Sequence, residues 1–214
     1  MTPVPGSGLI IAVDGPAASG KGTIAKALAR HYNLPHLDTG LLYRAVAATV
    51  RRLELDPAKE ADAVAACDFD ELALADPALR TDEVGQLASI VSAHPLVRAS
   101  LLRRQQRFAH QPGGAVLDGR DIATVIAPDA TAKLFVKATP TVRARRRHTE
   151  LQAHGSTLSY DKVLADIRAR DARDSSRSAA PLVQAADAAL LDTTFLSIEE
   201  SVRRAIALVE ARRA

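Results

Sequence analysis

The chain has 214 residues, 47% apolar and 3% aromatic, with a formal net charge of +3 and a single cysteine. That length suits one α/β domain with a sizeable core rather than two full domains, and one thiol, Cys67, excludes internal disulfides and cysteine metal clusters. No apolar run reaches membrane-spanning length, and the opening MTPVPGSG has neither the basic nor the apolar stretch of a secretory signal, so a cytoplasmic protein without membrane contact is expected.

Residues 9–14 read as a buried strand that runs into Gly15-Pro16-Ala17-Ala18-Ser19-Gly20-Lys21-Gly22-Thr23 and a helix over 21–32. Backbone N–H groups of residues 17–23 can converge on phosphate oxygens only in a tight turn with little side-chain bulk, which Gly15, Gly20 and Gly22 permit. Lys21 then reaches the β and γ phosphates of a nucleoside triphosphate, with the positive end of the helix behind it. The general motif has Ser or Thr directly after the lysine; here Gly22 stands there and Thr23 follows, so the hydroxyl that would meet a magnesium ion is left open. The plain alternative is a glycine turn without a ligand.

A second strand over 35–38 leads into a helix over 40–53, with Thr39 near its cap, Tyr43 one turn on and Arg44 beside it. A hydroxyl, a phenol and a guanidinium would converge there; capping by Thr39 and packing of Tyr43 would leave Arg44 unexplained. Cys67 lies in an alanine-rich helical stretch and reads as a packing residue. Helices over 82–93 and 95–109 carry Ser89 and Arg98, about which spacing says little. A third strand over 115–118 ends on Asp118, a position suited to holding magnesium through water, or else a turn cap. Arg120 and Asp121 follow, with a solvated surface pair as the alternative. Strands over 132–137 and 188–192 and helices over 140–152, 160–174 and 197–212 complete the chain, with Pro140 in a first turn and Ser197 and Glu200 spaced as a capping box. This alternation predicts a parallel sheet wrapped by helices, whose polar strand ends surround one cleft.

Six lysines leave 22 arginines among the 28 basic residues, and eight of those arginines fall within residues 143–177. Arg143, Arg146 and Arg147 share one helical stripe and Arg170, Arg173 and Arg177 another, with a loop tip at 152–159 between them. Two basic helices and a mobile tip make a lid that could grip phosphates and exclude water; a solvated face with Asp166 paired to Arg170 is the alternative. Few aromatics argue against a stacking platform for nucleic acid, so a small anionic substrate is expected.

In order, D14GPxxxGKGT, L37DTGxxYR, D118GRD, R170DxRDxxR and the Ala180-Pro181-Leu182 run resemble the bacterial cytidylate kinases, a branch of the nucleoside monophosphate kinases, over nearly the whole chain. The resemblance implies a single P-loop kinase domain with strand order 2-3-1-4-5, a monophosphate-binding region at about 39–110 and a lid at about 143–177. It implies ATP as donor, CMP or dCMP as acceptor and a magnesium ion, in a monomer. It implies further that Lys21, Arg120, Arg170 and Arg177 act on phosphate, that Thr39, Tyr43 and Arg44 surround the acceptor's sugar and phosphate, that Ser89, Arg98 and Asp121 face the cytosine edge, and that Asp174 faces the acceptor sugar. A carboxylate suits the cytosine amine and repels the uracil carbonyl, a mispairing worth roughly 1–3 kcal/mol. Family members often carry a longer insert where only the short stretch from Cys67 to Thr81 stands here, which implies a reduced wall over the base. Thr193 and Thr194 would lie near the donor adenine. Two other readings share the core: a kinase for a non-nucleotide hydroxyl such as that of shikimate, which would need a carboxylate base, and a non-enzymatic P-loop module that binds RNA through its arginines with steep salt dependence.

Overall fold

The computed structural model describes residues 8–153 and 155–213; residues 1–7, His154 in the expected loop tip, and Ala214 lie outside the description. Strands β1 (Leu9–Asp14), β2 (His36–Asp38), β3 (Gly114–Gly119), β4 (Ala132–Lys137) and β5 (Ala189–Asp192) form one sheet in the order β2-β3-β1-β4-β5, as the resemblance implied. Every neighbouring pair is parallel, so each connection crosses over the sheet. The crossovers supply helices α1 (Lys21–Tyr32), α2 (Thr39–Arg52), α3 (Glu60–Ala65), α4 (Asp82–Val91), α5 (Pro95–Ala109), α6 (Pro140–Ala153) and α7 (Tyr160–Ser176), and α8 (Ile198–Arg213) follows the last strand.

The core follows from the two-residue period of β1. Ile11 and Val13 face α1 and α8, where they meet Ile24, Leu28, Ala205 and Val209. Ile10 and Ala12 face the other layer, against Leu117, Ile122, Ile126 and Ala109 of α5. Because both faces are covered, the central strands are continuous apolar runs instead of alternating ones. A third cluster, built on Leu42, Val46, Val84 and Leu101, binds α2, α4 and α5 together, while α6 and α7 share a small one of Ala144, Leu151, Val163 and Ile167.

Several details differ from the sequence reading. Between Cys67 and Thr81 the chain makes two 3-10 turns, Glu71–Ala75 and Pro77–Arg80, each started by an aspartate that accepts a backbone N–H two residues on, Asp70 from Leu72 and Asp76 from Ala78. Thr39 does not cap α2: Asp38 holds the N-cap position, and the Thr39 hydroxyl donates to the Asp118 carbonyl oxygen at 2.9 Å. Ser197 accepts from the Glu200 N–H, but the Glu200 carboxylate turns to Arg203 and Arg204 and leaves the capping box half made. Cys67 is half-buried against the α2 cluster, its thiol donating to the Ala63 carbonyl. Lys162, not Arg170, pairs with Asp166.

Leu134 is fully buried at the centre of the sheet. Leu134→Ala is expected to cost about 2–5 kcal/mol, read as a lower denaturant midpoint with an unchanged slope.

Candidate active site

Because all five strands run the same way, the loops at their carboxyl ends share one side of the sheet. There a cavity of about 810 Å³ is lined by residues 17–23 of the glycine-rich loop, by Asp38, Thr39, Gly40, Tyr43 and Arg44 at the start of α2, by residues 118–121 after β3, and by Arg170, Asp174 and Arg177 of α7. Of the polar strand ends expected around the cleft, at Asp14, Asp38, Asp118 and Asp192, three meet the cavity, the last through Thr193. The fourth, Asp14, lies behind the wall with both carboxylate oxygens on backbone N–H groups.

The loop takes its shape from close approach to the sheet. A Cβ on Gly15 would stand 2.0 Å from the Val136 carbonyl oxygen, so the chain can pass β4 there only as glycine. Gly20, at φ +92°, is the N-cap of α1, and Lys21 opens the helix. Thr193 closes the back of the loop, its hydroxyl donating to Ser19 O at 2.9 Å. Thr194 turns away to Asp192.

Lys21 is buried, and that burial together with Arg120 pushes its ammonium down to about 8. Its Nζ lies 3.9 Å from Asp118 Oδ2, while His36 Nε2 sits 2.8 Å from Asp118 Oδ1. Arg170 is driven down to about 9 by burial and by Arg120, and its Nε has no hydrogen-bond partner; the buried Arg177 Nε has none either. Arg120 donates through Nε to Asp174 Oδ2 at 2.7 Å, and although burial opposes charge on both, each partner holds the other ionised. Arg177 Nη2 donates to Ala180 O, and Leu182 N to Asp174 O, so the Ala180-Pro181-Leu182 turn seats both ends of this cluster.

On the far side of the cavity, Arg98 reaches Asp121 Oδ2 at 2.5 Å, donates to Ser92 O at 3.2 Å, and lies 5.4 Å from the centre of the Tyr43 ring. The largely buried Arg120 and the buried Asp121 are neighbours in sequence but are each paired elsewhere. Arg44 donates to Leu79 O at 2.6 Å and Thr81 O at 3.0 Å. Ser89 is buried with its hydroxyl held by Arg173 Nε at 3.1 Å and does not line the cavity; Ser92, one helical turn on, does. Of the α6 stripe, Arg143 is buried against Ala17 O and Asp171, whereas Arg146 and Arg147 line the cavity.

The sequence reading gives Asp14 a place only as a strand end at the cleft, and assigns no role to His36, Arg80 or Gly85. Arg80 lines the cavity, and its signal was the Asp76-Pro77 turn start just before it. Gly85 is an interior helical glycine with ordinary backbone angles, where a Cβ would fall 2.7 Å from Arg44 Nη2; a glycine that costs helix stability is the signal there.

Among the described residues, no three His, Cys, Asp or Glu side chains converge as a metal cage. Asp118 Oδ2, 3.6 Å from where a Gly22 Cβ would lie, is one carboxylate oxygen beside a phosphate loop. That donor set suits magnesium, which keeps several waters and binds mainly to phosphate.

Fold, loop and cationic floor define a P-loop phosphotransferase of the nucleotide kinase type. A family model described as cytidylate kinase matches residues 11–211. The chain is 60% identical to a cytidylate kinase of Xanthobacter autotrophicus over 96% of this chain and 99% of that one. It is 58% identical to a cytidylate kinase of Azorhizobium caulinodans over 96% and 100%. A solved structure of an uncharacterised protein from Eubacterium ventriosum, 15% identical with a TM-score of 0.54 over 95% and 98% of the two chains, shares the fold. The chain belongs to the cytidylate kinase family, whose phosphoryl donor is ATP. Among the described residues, no helix is long and apolar enough to cross a membrane.

Lys21 sits below the usual lysine range, so it loses its proton as pH rises through about 8. ATP affinity measured by calorimetry is expected to be flat from pH 7 to about 8 and to weaken above it, towards tenfold per pH unit at the limit. Lys21→Arg removes that inflection.

Proposed function

We propose that this cleft transfers the γ-phosphoryl group of ATP in line to the α-phosphate of CMP or dCMP, giving ADP and CDP or dCDP. The observation that carries the residue assignment is the joint burial of Lys21, Arg120, Arg170 and Arg177 in one cavity, between the phosphate loop on one side and the Arg98–Asp121 pair on the other. Two anionic nucleotides would supply the charge that this cluster lacks. A neutral hydroxyl acceptor would leave Arg170 and Arg177 to share Asp174, a carboxylate already held by Arg120, and an RNA backbone could not reach guanidinium groups that face inward.

The acceptor phosphate is already an anion at neutral pH, so no general base is needed. The protein's task is to bring two polyanions together and stabilise the charge spread over the transferred group. Loop N–H groups of residues 17–23 and Lys21 hold the donor phosphates. Arg120, Arg170 and Arg177 bridge donor and acceptor, with Arg44 on the acceptor phosphate. Asp174, fixed by Arg120, faces the acceptor sugar with Thr39 and Tyr43 beside it. Asp121 accepts from the cytosine amine while Arg98 donates to the ring acceptors; Ser92 lines that end, and Ser89 acts on it through Arg173. Asp118 would hold magnesium, and the ion would supply charge neutralisation at the donor phosphates. Arg146 and Arg147 place α6 and α7 over the nucleotides as a lid that excludes water.

A purified sample given Mg-ATP with CMP, dCMP, UMP, AMP or GMP is expected to release ADP rapidly with the first two and weakly with UMP. Lys21→Ala and Arg170→Ala lower turnover by about two orders of magnitude or more with the fold intact; wild-type turnover in either variant would sink the assignment. Gly85→Ala removes an interior glycine, so the melting temperature holds or rises, by up to about 1 kcal/mol in stability. The new methyl displaces Arg44, and KM for CMP rises several-fold with KM for ATP unchanged.

A further inference from the structure

We propose that Asp14, which does not line the cavity, is a positioning residue for base selection: it occupies the first backbone N–H groups of the turn that Asp121 opens, among them the Ala123 N–H that Asp121 would otherwise cap, and so leaves the Asp121 carboxylate free to meet Arg98 and the base.

Asp121 stands at the N-cap of a π-helical turn, Ile122–Ile126. An aspartate in that position ordinarily accepts from the N–H of the second or third residue of its own turn, here Ala123 or Thr124, because those groups have no partner within the helix. Here it does not: the Asp121 side chain makes no cap bond and points to Arg98 Nη2 instead. The free donors are taken by a residue more than a hundred positions away. Asp14 Oδ1 accepts from Ile122 N at 2.9 Å and Oδ2 from Ala123 N at 2.8 Å.

The backbone of Asp121 is fixed from its other side as well, since its carbonyl accepts from Val125 N and Ile126 N. Asp14 is 2% exposed and ends β1 between two apolar neighbours, β3 and β4. A hydrophobic residue would continue the core there, and burial pushes the Asp14 carboxyl up to about 7 even with both N–H donors in place. A π turn is itself uncommon and recurs at functional sites. Asp14 also directly precedes Gly15 of the phosphate loop, so one side chain ties the start of the donor loop to the residue that faces the acceptor base.

Removing the clamp would let Asp121 swing onto its own turn and leave Arg98 unpaired. Asparagine keeps the shape of Asp14 but offers one acceptor oxygen in place of two; alanine offers none. The inference rests on Asp121 reading the base, so the experiment measures kcat/KM for CMP and for UMP in wild type, Asp14→Asn and Asp14→Ala. The CMP-to-UMP ratio is expected to fall by roughly tenfold in Asp14→Asn and further in Asp14→Ala, the range that one lost polar contact to a base commands, with KM for ATP unchanged. A ratio preserved in folded variants overturns the positioning role and leaves Asp14 a purely structural residue; so does an equal loss of ATP affinity. Wild type without preference for CMP overturns the base assignment itself, and this proposal with it. Amide exchange in the free wild-type protein gives a reading that needs no variant: protected Ile122 and Ala123 amides support a clamp present before substrate, and rapid exchange at both overturns it.

Discussion

Like charge packed into a desolvated cleft is the constraint on which the other features depend. Lys21, Arg120, Arg170 and Arg177 share a space with Asp38, Asp118, Asp121 and Asp174 at its wall, and burial together with mutual repulsion holds Lys21 and Arg170 well below their ordinary ranges. Such a cluster is unfavourable in isolation. It persists because each member is attached to a rigid element: Lys21 opens α1, Arg120 follows β3, Arg170 sits on α7 one turn before Asp174, and Arg177 is the C-cap of that helix. A parallel sheet is what brings those elements to one edge.

Backbone carbonyls complete the arrangement. Leu79 and Thr81 hold Arg44, Ala180 holds Arg177, Ser92 holds Arg98, and Ala17 and Ser19 hold arginines of α6. A carbonyl oxygen orients a guanidinium without cancelling its charge, so Arg44, Arg146 and Arg177 stay available to an anion while their direction is set, whereas Arg98 and Arg143 are also paired with Asp121 and Asp171. The segment that contributes most of these arginines has the smallest hydrophobic cluster of the molecule, four buried side chains between α6 and α7. Low apolar contact marks the part of a fold that opens most easily, and here that part also covers the cavity.

The central strands were legible because double burial writes them as apolar runs, and the phosphate loop because its glycines and lysine have one physical use. Strand order came from the resemblance; periodicity says which face is buried, not which strand is adjacent. Helix α3 is six residues long, too short for a periodic signal. Arg120 and Asp121 invited pairing as sequence neighbours, yet they diverge to Asp174 and Arg98, partners set by tertiary packing. The hydrogen bond of Thr39 goes to a carbonyl 79 positions away, and that of Ser89 to a guanidinium 84 positions away. Contacts of that range leave no trace in local spacing, which is why motif order located the site but only coordinates show how its residues are held.

The same burial that makes the empty cleft unfavourable makes the occupied one effective. A phosphate entering this space meets guanidinium groups already stripped of water, so its attraction to them is screened less than at a surface. Each nucleotide removes part of the repulsion among Lys21, Arg120, Arg170 and Arg177, so binding of one lowers the cost of ordering the cluster for the other. In the lid role proposed above, α6 and α7 would close over both nucleotides only once the counter-charge is present, because closure over the empty cleft would bury the cations further with nothing to offset them. The charge excess therefore ties water exclusion to the arrival of both substrates, which is the condition under which transfer to a second phosphate outcompetes transfer to water.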